Sequence, residues 1–546
     1  MPEFNIALLA RAVAQAIPDR DYFVQGDVRL TYAEMQDRAR RLGRYLVDQG
    51  FAVTAERSEL ANHELGQESV GLYLHNGPEY LIANLGCFEA RVAPFNVNYR
   101  YVAEELAYLL HDSGARGIVY HSAFAGTLAE VLEGTTGPRT LIQVPDESDN
   151  PLLPGAVWWD DALAASDPDP GTEPSPDDVF LLYTGGTTGM PKGVMWRQAD
   201  VFVAALGGTD RRTGEEWADA DSIVQVAIKG AKSRVMTLPP FMHGAGLWPS
   251  MTALLSGQTV VIPEVVERLD ADSILDAAER EGATTLVIVG DAFARPLCDA
   301  IEAGNRDLGS IRAFINSGAA LHADTKVRIL DLLPGSLIVD TLGSSETGSQ
   351  AQEVTATADE ARTGSFDATA TGAVIDSTRT RFAEPGEDDL GWMVQRGRLP
   401  LGYLGDADKT AATFPVVEGE RMAVAGDRAQ VAADGSVVLH GRDSVTINSG
   451  GEKIFAEEVE QALKSHAGVA DAVVCGRPSE RWGNEVCAVV SLHDGHDPDD
   501  AALLEEAARH IARYKLPKVI VRCGQVYRSP NGKADYRWAA EQVANA

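Results

Sequence analysis

An apolar run at residues 179–183 passes directly into Tyr183-Thr184-Gly185-Gly186-Thr187-Thr188-Gly189-Met190-Pro191-Lys192-Gly193. This limits the fold more than any other stretch. It predicts a strand that ends in a loop whose glycines turn several N–H groups toward one point. The threonine hydroxyls add donors and Lys192 adds a cation, a combination suited to a polyphosphate. The loop is not a Walker A motif. There the lysine is followed by Ser or Thr and enters a helix. Here Lys192 lies between Pro191 and Gly193, and Val194-Met195-Trp196 follows.

The surrounding pattern predicts an α/β chain. Thr31 and Glu34 have capping-box spacing, Tyr32, Met35, Ala39, Leu42 and Leu46 recur at helical intervals, and Gly50 stops the helix. Residues 52–68 are polar and read as a surface loop or insertion. Short apolar runs at 70–74, 117–120 and 140–144 alternate with helical stretches such as 79–90. The expected architecture is a large multi-subdomain N-terminal domain with mainly parallel sheets, residues 1–442. A Pro/Asp-rich linker loop is expected at 167–178. A small mobile α/β C-terminal domain, residues 443–546, is expected to hold helices at 456–465 and 498–512 and strands at 472–475 and 486–492. At 546 residues and 45% hydrophobic content, two or more globular units are expected.

Composition narrows the function classes. A net charge of −33 argues against a general nucleic-acid binder but not against ATP, whose phosphates are held by local groups. Five widely spaced cysteines, with no CxxC pair, predict reduced thiols. No run approaches twenty apolar residues, so no transmembrane segment is expected. The N-terminus lacks secretion-signal features, and the expected location is cytoplasmic.

Further motifs follow in order: Ser317-Gly318-Ala319-Ala320-Leu321; Asp340-Thr341-Leu342-Gly343-Ser344-Ser345-Glu346-Thr347-Gly348; residues 391–403; Ala425-Gly426-Asp427; Gly441-Arg442; Ile447-Asn448-Ser449-Gly450-Gly451-Glu452-Lys453-Ile454; and Arg528-Ser529-Pro530-Asn531-Gly532-Lys533. With the Gly/Thr loop, they resemble the adenylate-forming superfamily of acyl-CoA synthetases, luciferases and peptide-synthetase adenylation domains. Details between Met195 and Gly348 resemble actinobacterial FadD-type ligases of fatty acids or sterol side-chain acids.

The resemblance implies roles. Thr184, Gly185, Gly186, Thr187, Thr188, Gly189 and Lys192 would hold ATP phosphates. Gly318, Ala319, Ala320, Gly343, Ser344 and Ser345 would line the nucleotide site. Glu346 would hold Mg²⁺, Asp427 the ribose hydroxyls, and Arg442 ribose or phosphate. Lys533, Glu346 and Lys192 would be catalytic, with Lys533 bridging carboxylate and α-phosphate. Ser444 stands where the family often has Asp or Lys as a hinge. Gly450 and Gly451 would line a tunnel for coenzyme A.

His243 and Trp248 are expected at the acyl pocket, following Pro239-Pro240-Phe241-Met242. A packed histidine and a core tryptophan are the plainer readings of both. No aspartate stands near this motif to receive a substrate ammonium, which disfavours an amino acid. Residues 209–216 read as a long connection able to form a lid. The expected small-molecule partners are a carboxylic acid, ATP and coenzyme A, and homo-oligomerisation stays open. The resemblance implies an acyl-CoA ligase working through an acyl-AMP. An acyl-AMP ligase serving a carrier protein or amine is the alternative.

Overall fold

The computed structural model describes residues 2–134, 137–164, 166–184, 190–210, 212–230, 232–449, 452–479, 483–511, 513–529 and 532–544. The first sheet has eight strands, in the order Gly402–Tyr403, Lys192–Arg197, Val179–Thr184, Ala93–Asn96, Ser69–Tyr73, Gly117–His121, Thr140–Val144 and Ala156–Trp158. The last six run parallel. Ser69–Tyr73 and Gly117–His121 are buried throughout, as strands covered on both faces must be, and so read as unbroken apolar runs.

The helix predicted after Thr31 is Tyr32–Asp48, preceded by an unpredicted helix Ile6–Ala16. The Thr31 N–H donates to Glu34 Oε2 at 2.8 Å, and the Glu34 N–H donates back to Thr31 Oγ1 at 3.2 Å. This helix packs on Pro78–Glu89. They cross closely because Gly86 has no side chain: a Cβ there would lie 2.9 Å from the Ala39 carbonyl oxygen.

The second sheet has thirteen strands. Asp21–Gln25, Thr259–Ile262, Arg234–Thr237, Thr285–Ile288, Ala313–Ser317 and Leu337–Ser344 form its parallel half, with Val28–Thr31 antiparallel to Asp21–Gln25 at the edge. Chain direction then changes. Gly348–Thr355 folds back on Leu337–Ser344, and an antiparallel extension continues through Ser365–Ala368, Val437–Arg442, Asp427–Val431, Gly391–Gln395 and Gly372–Ile375. Sequence reading did not separate this extension. Apart from the stretch 396–426, which holds the helix Ala407–Thr413, its strands are joined by turns and loops without α-helices, so the strand–helix alternation that marks parallel units is largely missing.

A five-stranded sheet follows: Glu452–Phe455, Thr446–Ser449, Gly483–Leu492, Val469–Ser479 and Val519–Arg522. Ile454, Val459, Leu463, Val474, Val486 and Leu503 form a core of its own. The helix expected at 498–512 is shorter, Asp500–Ala507, with Asp499 capping the Ala502 N–H.

The stretch 167–178 is pinned rather than slack. Asn5 Nδ2 donates to the Ser175 carbonyl, and Asp178 accepts from Ser175 N–H and Arg91 Nε at 2.8 and 3.0 Å. Burial pushes the Asp178 carboxyl up to about 6 despite Arg91. Thr209 and Glu216 form an antiparallel bridge, and Arg398 clamps Glu216 at 2.8 Å. All five cysteines carry free thiols. Among the described residues, no helix is long and apolar enough to cross a membrane.

Candidate active site

The Gly/Thr loop joins two antiparallel strands in which Thr184 and Lys192 are paired. Gly185, Gly186, Thr187, Thr188 and Gly189 lie outside the described residues. The base of the loop is held by Asn96. Its Nδ2 donates to the carbonyls of Tyr183 and Met242 at 2.8 and 2.7 Å, and its Oδ1 accepts the Tyr183 N–H at 2.6 Å. One buried amide thereby couples the loop to the turn bearing His243.

Lys192 Nζ lies 3.7 Å from Asp406 and 5.7 Å from the centre of the Tyr403 ring. The Tyr403 hydroxyl donates to Glu346 Oε1 at 2.9 Å. Tyr403 stands at this point because the Leu401 and Leu404 N–H groups donate to the Met195 and Gly193 carbonyls of the strand Lys192–Arg197. Lys192, Tyr403 and Glu346 thus form one cluster from three distant motifs. Sequence reasoning placed Tyr403 in a motif without a role and missed Asp406 and Asn96.

Glu346 sits in a tight hairpin. Ser344 N–H donates to Thr347 Oγ1, Glu346 N–H to Ser344 Oγ, and Trp196 Nε1 to the Ser345 carbonyl. Gly343 is required there, because a Cβ would meet the Gly348 carbonyl oxygen at 2.2 Å. Among the described residues, no group of three or more His, Cys, Asp or Glu forms a metal cage. A single carboxylate fits Mg²⁺, which usually takes one or two protein carboxylates and completes its shell with phosphate oxygens and water.

A second cluster forms around Gly318, at the end of strand Ala313–Ser317. Gly318 has φ +84°. The Ala320 carbonyl accepts the Asp291 N–H at 3.2 Å, and the Ala319 carbonyl accepts from Asn316 Nδ2 at 3.0 Å. The C-terminal turn reaches this loop. Lys533 Cε is 4.0 Å from the Cβ position at Gly318, and the Val289 carbonyl oxygen is 3.2 Å from that at Gly532. The turn is braced by Gly532 N–H to Ser529 O at 2.8 Å and by Arg528, which pairs with Asp471 at 2.7 Å. Lys533 itself is exposed.

His243 precedes helix Gly244–Leu255. The residue as a whole is half-buried, and its Nε2 is buried without a hydrogen-bond partner in the protein. Burial, with Lys533 and Arg100 nearby, lowers the imidazole to about 3, so it is neutral at physiological pH. The Trp248 ring lies 3.3 Å from the Cβ position at Gly244, and its Nε1 is likewise buried and unpartnered. Both rings therefore turn a polar atom away from solvent.

Asp427 is buried at the start of Asp427–Val431, paired in register with Arg442. The Gly426 carbonyl accepts the Asp443 N–H. Ser444 lies in the 3₁₀ turn Asp443–Val445 between this sheet and the C-terminal sheet. Gly450 and Gly451 lie outside the described residues. The arrangement supplies two lysines, a neutral imidazole and the carboxylates of Glu346, Asp406 and Asp427. These are groups able to gather anions and place one carboxylate beside a phosphate.

The family model for AMP-binding enzyme matches residues 10–399, and that for the AMP-binding enzyme C-terminal domain matches 458–533. The chain is 52% identical to the medium-chain acyl-CoA ligase Mig of Mycobacterium avium, over 99% of this chain and 98% of that one. It is 40% identical to a medium/long-chain-fatty-acid and 3-oxocholest-4-en-26-oate CoA ligase of Mycobacterium tuberculosis, over 99% and 96% of the respective lengths. The fold resembles that of the anthranilate CoA ligase AuaEII in complex with anthranoyl-AMP, with a TM-score of 0.81 at 20% identity. That alignment covers 100% of this chain and 99% of the other.

Proposed function

The chain belongs to the AMP-binding enzyme family and is an AMP-forming acyl-CoA ligase, and from that premise we propose that it activates a medium-chain carboxylic acid in two half-reactions governed by Lys533. The observation that carries the proposal is the docking of the Gly532–Lys533 turn against Gly318 and Val289. It sets the Lys533 stem beside a loop proposed to line the nucleotide.

In the first half-reaction the acid's carboxylate attacks the α-phosphate of ATP and pyrophosphate leaves. The barrier lies mainly in bringing anions together and stabilising charge on the phosphoryl oxygens. Thr184, the loop through Gly189, and Lys192 hold the β- and γ-phosphates. Asp427 accepts the ribose hydroxyls and Arg442 supports ribose or phosphate. Gly318, Ala319, Ala320, Gly343, Ser344 and Ser345 line the nucleotide. Lys533 neutralises charge between carboxylate and α-phosphate. Glu346, oriented by the Tyr403 hydroxyl, would hold Mg²⁺, which when bound supplies further neutralisation of the phosphates. Neutral His243 offers a hydrogen bond without adding a second cation, and Trp248 walls the acyl pocket.

In the second half-reaction residues 443–546 turn about Ser444 as a mobile unit relative to 1–442. Lys533 leaves, Gly450 and Gly451 line the path of the thiol, and the coenzyme A sulfur attacks the acyl carbonyl as AMP departs. Motion of this kind is carried by a few residues at an element end, and Ser444 lies in such a turn.

The test is product analysis by mass spectrometry with ATP, Mg²⁺ and a panel of short, medium, long, aryl and steroid acids, with and without coenzyme A. Medium-chain acyl-CoA formed only with coenzyme A is expected. Acyl-AMP accumulating unchanged in its presence refutes the ligase, and preference for a steroid acid refutes the chain-length assignment.

A further inference from the structure

Four buried polar side chains meet behind the Gly318 loop, and the chemistry above uses none of them. Asn316 and Lys326 are fully buried, and Asp340 and Glu353 nearly so. Lys326 Nζ lies 2.6 Å from Glu353 Oε2 and 3.0 Å from Asp340 Oδ2. Asp340 Oδ1 accepts from Asn316 Nδ2 at 2.7 Å. A buried ion pair is a poor source of net stability, since desolvation offsets most of its attraction, whereas fixing geometry is a use documented for some such groups.

The geometry here has a definite output. Asp340, held by Lys326, turns an oxygen toward Asn316 and so settles which end of that amide carries the NH₂. Nδ2 then also donates to the Ala319 carbonyl at 3.0 Å, leaving Oδ1 to accept the Gly290 N–H at 2.6 Å. Gly290 has φ +58° and follows Val289 at the start of helix Gly290–Ala303. A Cβ at Gly290 would lie 2.6 Å from the Ala320 carbonyl oxygen, so this backbone and the Gly318 loop pack without a gap. One amide therefore fixes two backbone segments together. These are the segments the C-terminal turn touches: Val289 faces Gly532, and Gly318 faces Lys533.

We infer that Asn316, oriented by Asp340 and Lys326, is a positioning residue for the adenylation half-reaction: it sets the seat that receives the Gly532–Lys533 turn. The inference rests on the proposed role of Lys533 in that half-reaction alone. Without the amide, Gly290 and Ala319 lose their shared anchor and the seat shifts. A displacement near 1 Å at a group that places reactants lowers a rate by roughly 10–100-fold. Thioester formation, for which Lys533 has already left, loses only what the nucleotide-lining Ala319 contributes and so falls less.

The experiment measures ATP–pyrophosphate exchange and, separately, thioester formation from supplied acyl-AMP and coenzyme A. It uses the full-length wild type and the variants Asn316→Ala, Asp340→Asn and Lys533→Ala. Asn316→Ala is expected to lower exchange by roughly 10–100-fold in kcat, with a smaller loss in thioester formation. Asp340→Asn loses one acceptor of the network without touching the loop, and is expected to give the same selectivity to a smaller degree. It carries the test if Asn316→Ala does not fold. Equal losses in both half-reactions, or none in either, overturn the inference. If Lys533→Ala itself spares exchange, the role given to Lys533 fails instead. A selective Lys533→Ala beside an unselective Asn316→Ala and Asp340→Asn overturns the positioning role alone.

Discussion

Tyr403→Phe is the sharpest single-atom perturbation of the proposed site. Tyr403 is 5% exposed, and its ring packs 6.1 Å from that of Phe414 with Lys192 5.7 Å above it. Phenylalanine keeps that ring, its packing and the lysine's cation–π contact. It removes the hydroxyl that donates to Glu346 Oε1 at 2.9 Å. A hydrogen bond to a charged group contributes about 1.5–3 kcal/mol, or roughly 10–100-fold. Glu346 is partly accessible, so water replaces some of this loss and the low end, about tenfold, applies. The assay is ATP–pyrophosphate exchange titrated with Mg²⁺. The variant should need more Mg²⁺ for half-maximal rate, while thioester formation from supplied acyl-AMP stays at the wild-type level. An unchanged Mg²⁺ dependence would refute the orienting role of Tyr403, and with it the assignment of Glu346 to the metal.

Other substitutions probe the scaffold and the charges. Asn96→Ala strands the Tyr183 N–H and the Tyr183 and Met242 carbonyls, and should cost about 3 kcal/mol or more in urea unfolding. Gly348→Ala forces a left-handed residue at φ +66° and puts a Cβ 2.7 Å from the Ala204 carbonyl oxygen. A loss of at least about 1–2 kcal/mol is expected in the same measurement. His243 has its folded pKa depressed to about 3, so between that value and about 6.5 the unfolded chain binds a proton the native state refuses. Stability should therefore fall as pH is lowered through this window. His243→Asn should flatten the decline by about 1–2 kcal/mol between pH 7.5 and 5, and an identical pH dependence would count against a neutral buried imidazole. Cys87, Cys298, Cys475 and Cys487 are buried with thiols pushed up, so iodoacetamide on native protein should label Cys523 first, as read by peptide mass spectrometry.

Local features were legible wherever a short segment carries its own physics. The Thr31–Glu34 capping box, the Tyr32–Asp48 helix and the strand that runs into the Gly/Thr loop follow from neighbours in the chain. The antiparallel extension from Gly348–Thr355 onward was harder, because its alternating burial is interrupted by register shifts and short strands. What the sequence alone determined about this protein was its parts and their order. The loop, the motif ending in Glu346, the Asp427 motif and the Lys533 turn each have a local pattern of glycines, hydroxyls or charge. Only the tertiary structure decided which parts meet. Lys533 lies against Gly318, the Tyr403 hydroxyl on Glu346, and Asn316 between Gly290 and Ala319. Lys326, Asp340 and Glu353 show the reason most clearly. Each is an ordinary polar residue in its own element, and its burial and pairing arise only when the helix Ala323–Leu332 covers the strands Leu337–Ser344 and Gly348–Thr355. Long-range pairing depends on where whole elements pack, and no spacing within one element encodes it.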